Sequence, residues 1–350
     1  RRKEKFGELH IDTIRSQIDY GKVLRLQKKL KHAEEELLLA LQLSQSLLGP
    51  KHPYVFEILN ELATLYEVLE NLDEAASYRE LVMNRRTEFF DQMLWAVGEN
   101  AREGYIRVHR PEFFAYLSLL ADLGNHESGK KIIEASMQRK GILLKINSQI
   151  QQISRFSRDP KLSELSKKLE LERKKLAALT LSGPTADTKE QHPRILFELE
   201  KEVDAMEAEL GKHSQKFRAS IKKYSVERLE RELRDNSALV DMFVCEKEGK
   251  RRLIAGVMIK SKTGDVDYRI VEFGDMGKIA DSIQEYREII QDEFADEDEL
   301  IEIGQSAYDI LWAPVADLIG EIDYVYLVPD GLANVVPYNA LINPDENYLI

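Results

Sequence analysis

The chain has 350 residues, 43% of them hydrophobic and 32% charged, a globular balance with room for about two or three domains. Sixty-two acidic residues against fifty basic ones leave a net charge of −12, which opposes direct contact with a nucleic-acid backbone unless a basic face is segregated. Between Lys216 and Arg234 the bases are interleaved with Glu227, Glu230 and Glu232, as on a solvated helix, and no run of eighteen apolar residues exists that could cross a bilayer.

The chain opens Arg1-Arg2-Lys3 with neither a methionine nor an apolar segment behind it, so no secretory signal is visible and an upstream segment is expected to be missing. Aligned with itself at a shift of 42 residues, the chain places Tyr20, Gly21, Leu24, Leu30 and Ala33 over Leu62, Ala63, Tyr66, Leu72 and Ala75. Small residues at two of these positions let paired antiparallel helices approach closely, while leucine and tyrosine fill the space between them. Between the units, Gly49 can cap one helix and Pro53 can begin the next. This Gly-x-x-His-Pro turn resembles the long tetratricopeptide repeats of the kinesin-light-chain type, and His52 is read as a structural turn residue. The period exceeds the ~34 residues of an ordinary repeat by about one turn per helix. Asn60, Thr64 and Glu67 share a helix face by their spacing, which makes them either part of a groove for a protein or peptide partner or a solvated surface. The segment Phe89 to Arg110 reads helical, with Phe90, Leu94, Val97 and Ala101 on one face. A third helix pair from Pro111 through Gly124 to Ala135 falls outside the repeat register.

From Ile142 to Leu181 the pattern predicts two antiparallel helices divided at Asp159-Pro160. Ser182 to Asp187 collects turn formers and reads as a loop. A long helix follows from about Pro193 to Tyr224, with Leu196, Leu199, Val203, Met206 and Leu210 as its core stripe. After a short amphipathic stretch from Val226 to Arg234 the periodicity changes. Ala238 to Cys245, Arg252 to Lys260 and Tyr268 to Phe273 read as an antiparallel meander, followed by helices over Ile279 to Phe294 and Leu300 to Ile319. Tyr324 to Val328 is a near-continuous apolar run, expected for a strand covered on both faces. It ends in Pro329-Asp330-Gly331, at the sheet edge where ligands of open α/β sheets bind. Asp330 and Gly331 there can line a substrate loop or simply make a tight turn.

The stretch Tyr326 to Leu341, reading YLVPDGLANVVPYNAL, resembles the strand and loop that open the peptidase core of CHAT domains, the caspase-like domains found with tetratricopeptide repeats. Ala307 to Val315 resembles the helix preceding that core, and Leu233 to Phe243 its entry strand. Arg139 to Leu144, Asp159-Pro160, Leu176 to Leu179 and Gly183-Pro184 follow the family's connector. The resemblance implies a multidomain protein: a tetratricopeptide-type solenoid over 1–140, a helical connector over 141–225, and over 226–350 the N-terminal part of an α/β caspase-like domain, incomplete at its C-terminus. It also implies a cysteine endopeptidase, its histidine and cysteine lying beyond the equivalent of Ile350.

This chain has no histidine after His213, and its one cysteine, Cys245, falls in the meander. A lone cysteine excludes an intramolecular disulfide and fits a reducing compartment, so cytoplasm is the expected location. In an apolar strand Cys245 reads as a small hydrophobe. No catalytic residue is assigned here. His10, His32, His52, His109, His126, His192 and His213 show no metal-ligand spacing, and Gly249, Gly256 and Gly264 are too scattered for a phosphate loop, so neither metal nor cofactor is expected. Two readings remain: the front of a peptidase whose repeats receive a regulatory or substrate protein, or a non-catalytic interaction scaffold. A role in bacterial defence is implied by the resemblance alone.

Overall fold

The computed structural model describes residues 5–7, 10–143, 146–148, 152, 159–184, 190–218, 225–247 and 249–348. They fall in two compact units, one comprising Arg1–Met83, Pro111–Met137 and Tyr224–Ile350, the other Asn84–Arg110 and Gln138–Lys223.

The first unit begins with two helix pairs: α1 (Ile11–Leu26) with α2 (Leu30–Leu48), and α3 (Pro53–Val68) with the start of α4 (Leu72–Met93). Gly21 is where α1 and α2 touch. A Cβ there would lie 2.7 Å from Leu37 Cγ, so any larger residue would force the helices apart. Ala33, Ala63 and Ala75 are fully buried. At the turn, Gly49 takes φ 83°, Pro53 is the first helical residue, and the His52 ring accepts a hydrogen bond from the Tyr54 amide at 3.2 Å as the N-cap. His52 thus satisfies an amide that the helix start leaves without a carbonyl.

The residues outside the repeat register do form a pair, α6 (Arg110–Leu123) and α7 (His126–Arg139), after α5 (Glu99–Val108). Its buried side chains meet a sheet. After the short α10 (Val226–Glu232), strands β1 (Ser237–Lys247), β2 (Lys250–Lys260) and β3 (Val266–Asp275) form the antiparallel meander, and β4 (Tyr324–Val328) joins parallel to β1, giving the order β3-β2-β1-β4. Side-chain alternation divides the sheet between two cores. Val240, Met242, Val244, Leu253, Ala255 and Val257 face α11 (Met276–Ile289), α12 (Glu297–Leu311) and α13 (Ala313–Ile319). Phe243, Cys245 and Ile254 face Tyr116, Leu117 and Leu120 of α6 and Ile132 and Ala135 of α7. The approach is close because two glycines permit it. A Cβ on Gly256 would sit 2.8 Å from Ile132, and one on Gly129 would sit 3.2 Å from the backbone of β3. Burying Ile132 and Ile133, both fully covered, contributes about 1.5–3 kcal/mol each.

In the second unit, α8 (Pro160–Ser182) and α9 (His192–Arg218) form an antiparallel hairpin. Asp159 caps α8 through the Lys161 amide at 2.9 Å, with Pro160 at its first position. Much of the expected helix before Asp159, the loop positions 185–187 and the end of the long helix at 219–224 lie outside the described residues, as do the bases at 222 and 223.

Several expectations are corrected. The helix drawn through Phe89 to Arg110 breaks between Met93 and Glu99, where Gly98 abuts Asp204 so closely that a Cβ would clash at 2.3 Å. Ala101 therefore faces outward and Arg102 takes the buried place. The helix over Leu300 to Ile319 is divided at Trp312 (φ −133°, ψ −40°), because Pro314 starts a new helix and supplies no amide to the old one. Phe294 lies beyond its helix, 93% exposed. The strand Tyr324–Val328 is not covered on both faces: it stands at the sheet edge with Tyr324, Val325 and Tyr326 exposed by 38–49%.

Candidate functional site

Asn60, Thr64 and Glu67 lie on one face of α3, and that face is turned toward α4. Arg79 of α4 lies across all three. Its guanidinium donates to Glu67 Oε1 at 2.8 Å from Nε, to Asn60 Oδ1 at 3.4 Å and to Thr64 Oγ1 at 3.4 Å. Asn60 also donates to Glu112 of α6 at 3.3 Å. Arg79 is only 8% exposed, so the fork is largely withdrawn from water and the Glu67 carboxylate offsets the cost of burying it. The three residues singled out from spacing thus meet as a polar cluster between the helices of one repeat. A partner reading this face would meet them already engaged with Arg79.

The sequence reading missed Arg79, although the self-alignment contains it. At the same 42-residue shift Ile18 falls on Asn60 and Leu37 on Arg79. The first pair packs Ile18 and Leu37, both buried, in one apolar core; the second replaces that contact with an amide and a guanidinium.

A second cluster couples α6 to the sheet. Arg252 of β2 donates to the Ser118 carbonyl of α6 at 2.7 Å and to Asp122 at 3.0 Å, and its other amino group reaches Glu272 of β3 at 3.1 and 3.2 Å. Beside it is Cys245, fully buried. Burial pushes the thiol up from its ordinary value, with hydrogen bonds to Ser118 and Arg252 pulling weakly the other way. A thiol held protonated is a poor nucleophile, which agrees with its reading as a packing residue.

At the end of β4, Asp330 and Gly331 sit together against β1. The β1–β4 ladder closes at Asp241 and Val328. Two residues on, the Asp330 carboxylate accepts the Val244 amide at 3.0 Å, so a side chain extends the pairing where the backbone has left the sheet. Asp330 itself is extended (φ −135°, ψ 149°) and Gly331, at φ 55°, opens the short 3₁₀ turn Gly331–Val335. A Cβ on Gly331 would touch Val244 at 3.2 Å. The geometry ties the loop down and leaves Asp330 one oxygen on the strand.

Residues 12–88 match the tetratricopeptide repeat family model. The match spans α1 to most of α4, the two helix pairs built around Gly21 and Ala63. No curated protein matches the chain. Repeats of this class present stacked helices to protein partners, and protein–protein interaction is the activity this match supports. The architecture is a tetratricopeptide-like helical region followed by a small mixed sheet with helices on both sides. Among the described residues no helix is long and apolar enough to cross a membrane, and no group of three or more His, Cys, Asp or Glu side chains could hold a metal ion.

Proposed function

We propose that this chain is the N-terminal portion of a CHAT-type cysteine endopeptidase, in which the tetratricopeptide region receives a regulatory or substrate protein and the mixed sheet opens the peptidase core. The observation that carries this reading is the parallel placement of β4 beside β1, ending at Val328-Pro329-Asp330 with the loop anchored back on β1. That is a topology suited to further parallel strands, since the chain leaves the sheet at a carboxyl edge. The sequence of the stretch Tyr326 to Leu341 and the repeats in front of it support the same family. On this reading the histidine and cysteine that attack the peptide bond lie beyond Ile350, and the residues of this chain supply partner recognition and the first strand of the core. The protein works in the cytoplasm and takes neither metal nor cofactor.

The alternative, a non-catalytic scaffold, rests on the tetratricopeptide match, which supports protein interaction and no chemistry. Cys245, buried beside Ser118 and Arg252 and held protonated, is a packing residue in either reading. Intact mass of the protein isolated from its native source separates the two. A species well above 40.4 kDa whose added sequence carries a histidine and then a cysteine, each following an apolar strand, supports the peptidase. A species of this mass, or an extension missing either residue, supports the scaffold.

A further inference from the structure

One face of the α8–α9 hairpin is covered: there Asp204 and Gly211 of α9 meet Gly98 and Trp95, and Leu169, Val203, Met206 and Leu210 are buried with Phe90, Leu94 and Trp95. On the opposite face, about half a helix turn round from Asp204 and Gly211, no such layer is present among the described residues. Leu171 and Ile195 are exposed there by 53 and 40%. Between the helices there an apolar groove of about 460 Å³ opens, floored by Ala178 and Leu179 of α8 and Ile195 and Leu199 of α9. Its two rims carry opposite charge: Lys175 on α8, Glu198 and Glu202 on α9. Each rim is served at most by its own helix. Lys175 pairs with Glu172 and Glu198 with Arg194, local exposed pairs worth only a few tenths of a kcal/mol. Glu202 makes no ion pair among the described residues.

A two-helix layer has two faces to cover, and one face of this hairpin already carries a further layer while the groove face does not. The charge pattern identifies what can supply it. A twofold axis that lays α8 of one molecule on α9 of another sets a basic rim on an acidic one twice over, so the surface is its own complement. The other twofold arrangement, α8 antiparallel on α8, would bring each Lys175 toward its own copy. We propose that the groove is the interface with a second copy of this chain, the two hairpins closing as a four-helix bundle in which Lys175 of each faces Glu198 and Glu202 of the other. This inference is independent of the peptidase reading, since it concerns only the connector.

Sedimentation equilibrium of the 350-residue protein at roughly 1 to 100 µM, a span suited to weak and moderate dimers, gives the first readout: twice the chain mass at the upper end. Lys175→Glu alone, and Glu198→Lys with Glu202→Lys, should each sediment at the single-chain mass. Mixed in equal amounts, these two variants should recover the doubled mass, because the mixed pair has opposite charges at both contacts. Recovery on mixing also shows that neither variant had merely misfolded, which matching far-UV circular dichroism checks separately. A wild-type protein that stays at single-chain mass throughout gives the groove to some other occupant and overturns the proposal. So does a dimer indifferent to both variants, or a mixture that fails to recover.

Discussion

Removing the cation that fills the second repeat tests whether the polar cluster on α3 and α4 is structural. Arg79→Leu deletes the 2.8 Å hydrogen bond to Glu67 and the longer ones to Asn60 and Thr64. A charge-assisted bond contributes about 1.5–3 kcal/mol, and since Glu67 keeps 31% of its side chain in water the lower part of that range applies. The expected loss is therefore about 2 kcal/mol, roughly thirtyfold in the folding constant. Leu37 and Ile18 show the remedy. Adding Asn60→Ile to Arg79→Leu copies the apolar pair of the first repeat and should bring stability to within about 1 kcal/mol of the wild type, because the half-buried amide is removed together with the guanidinium it paired with. Urea unfolding followed by far-UV circular dichroism measures both variants. A single variant within about 0.5 kcal/mol of wild type, the range of an ordinary surface change, would refute the reasoning, as would a double variant no better than the single.

In the second unit, Glu207 accepts from Arg102 at 3.4 Å, from Arg173 at 2.6 and 3.2 Å and from the Glu99 amide at 2.8 Å, with Arg102 fully buried. Glu207→Leu should cost about 3–5 kcal/mol by leaving that guanidinium uncompensated, while Arg102→Met with Glu207→Leu should regain most of it; Trp95 fluorescence in a Trp312→Phe background reports this core. Gly256→Val drives a side chain into Ile132 and should cost about 1–3 kcal/mol, reduced when Ile132→Ala opens the space. Because the folded state holds the Cys245 thiol above its ordinary value, its contribution is intact below about pH 8.5 and declines as the unfolded chain ionises above that value. Between about pH 9 and 10 the wild type should lose stability faster than Cys245→Val, by at most roughly 1.4 kcal/mol per pH unit, as chemical denaturation at each pH would show.

How much of this was legible beforehand depended on whether the residues involved were neighbours in sequence. Gly21, Ala63 and the Gly49–Pro53 turn announce themselves because small residues and turn formers act through local geometry. The meander was equally plain, since its strands alternate and their connections are short. The edge position of β4 was hidden: an apolar run looks the same whether or not a neighbouring strand covers it. The break at Gly98 depends on Asp204, more than a hundred residues away, and no periodicity records that contact. Arg79 lay between these cases, visible in the register but readable only once its three acceptors were seen to face α4. The mounting of α6 and α7 on the sheet rests on Gly129 and Gly256, whose role requires knowing what lies opposite.

The reading of the chain as the front of a peptidase is tested most directly by treating the protein from its native source with a peptidyl electrophile that captures an activated cysteine, then locating the adduct by peptide mass spectrometry. The account predicts an adduct on a cysteine outside these 350 residues, lost when a histidine also outside them is replaced, with Cys245 unmodified in the folded protein. No adduct under conditions that label a control cysteine peptidase, or an adduct on Cys245, would contradict it.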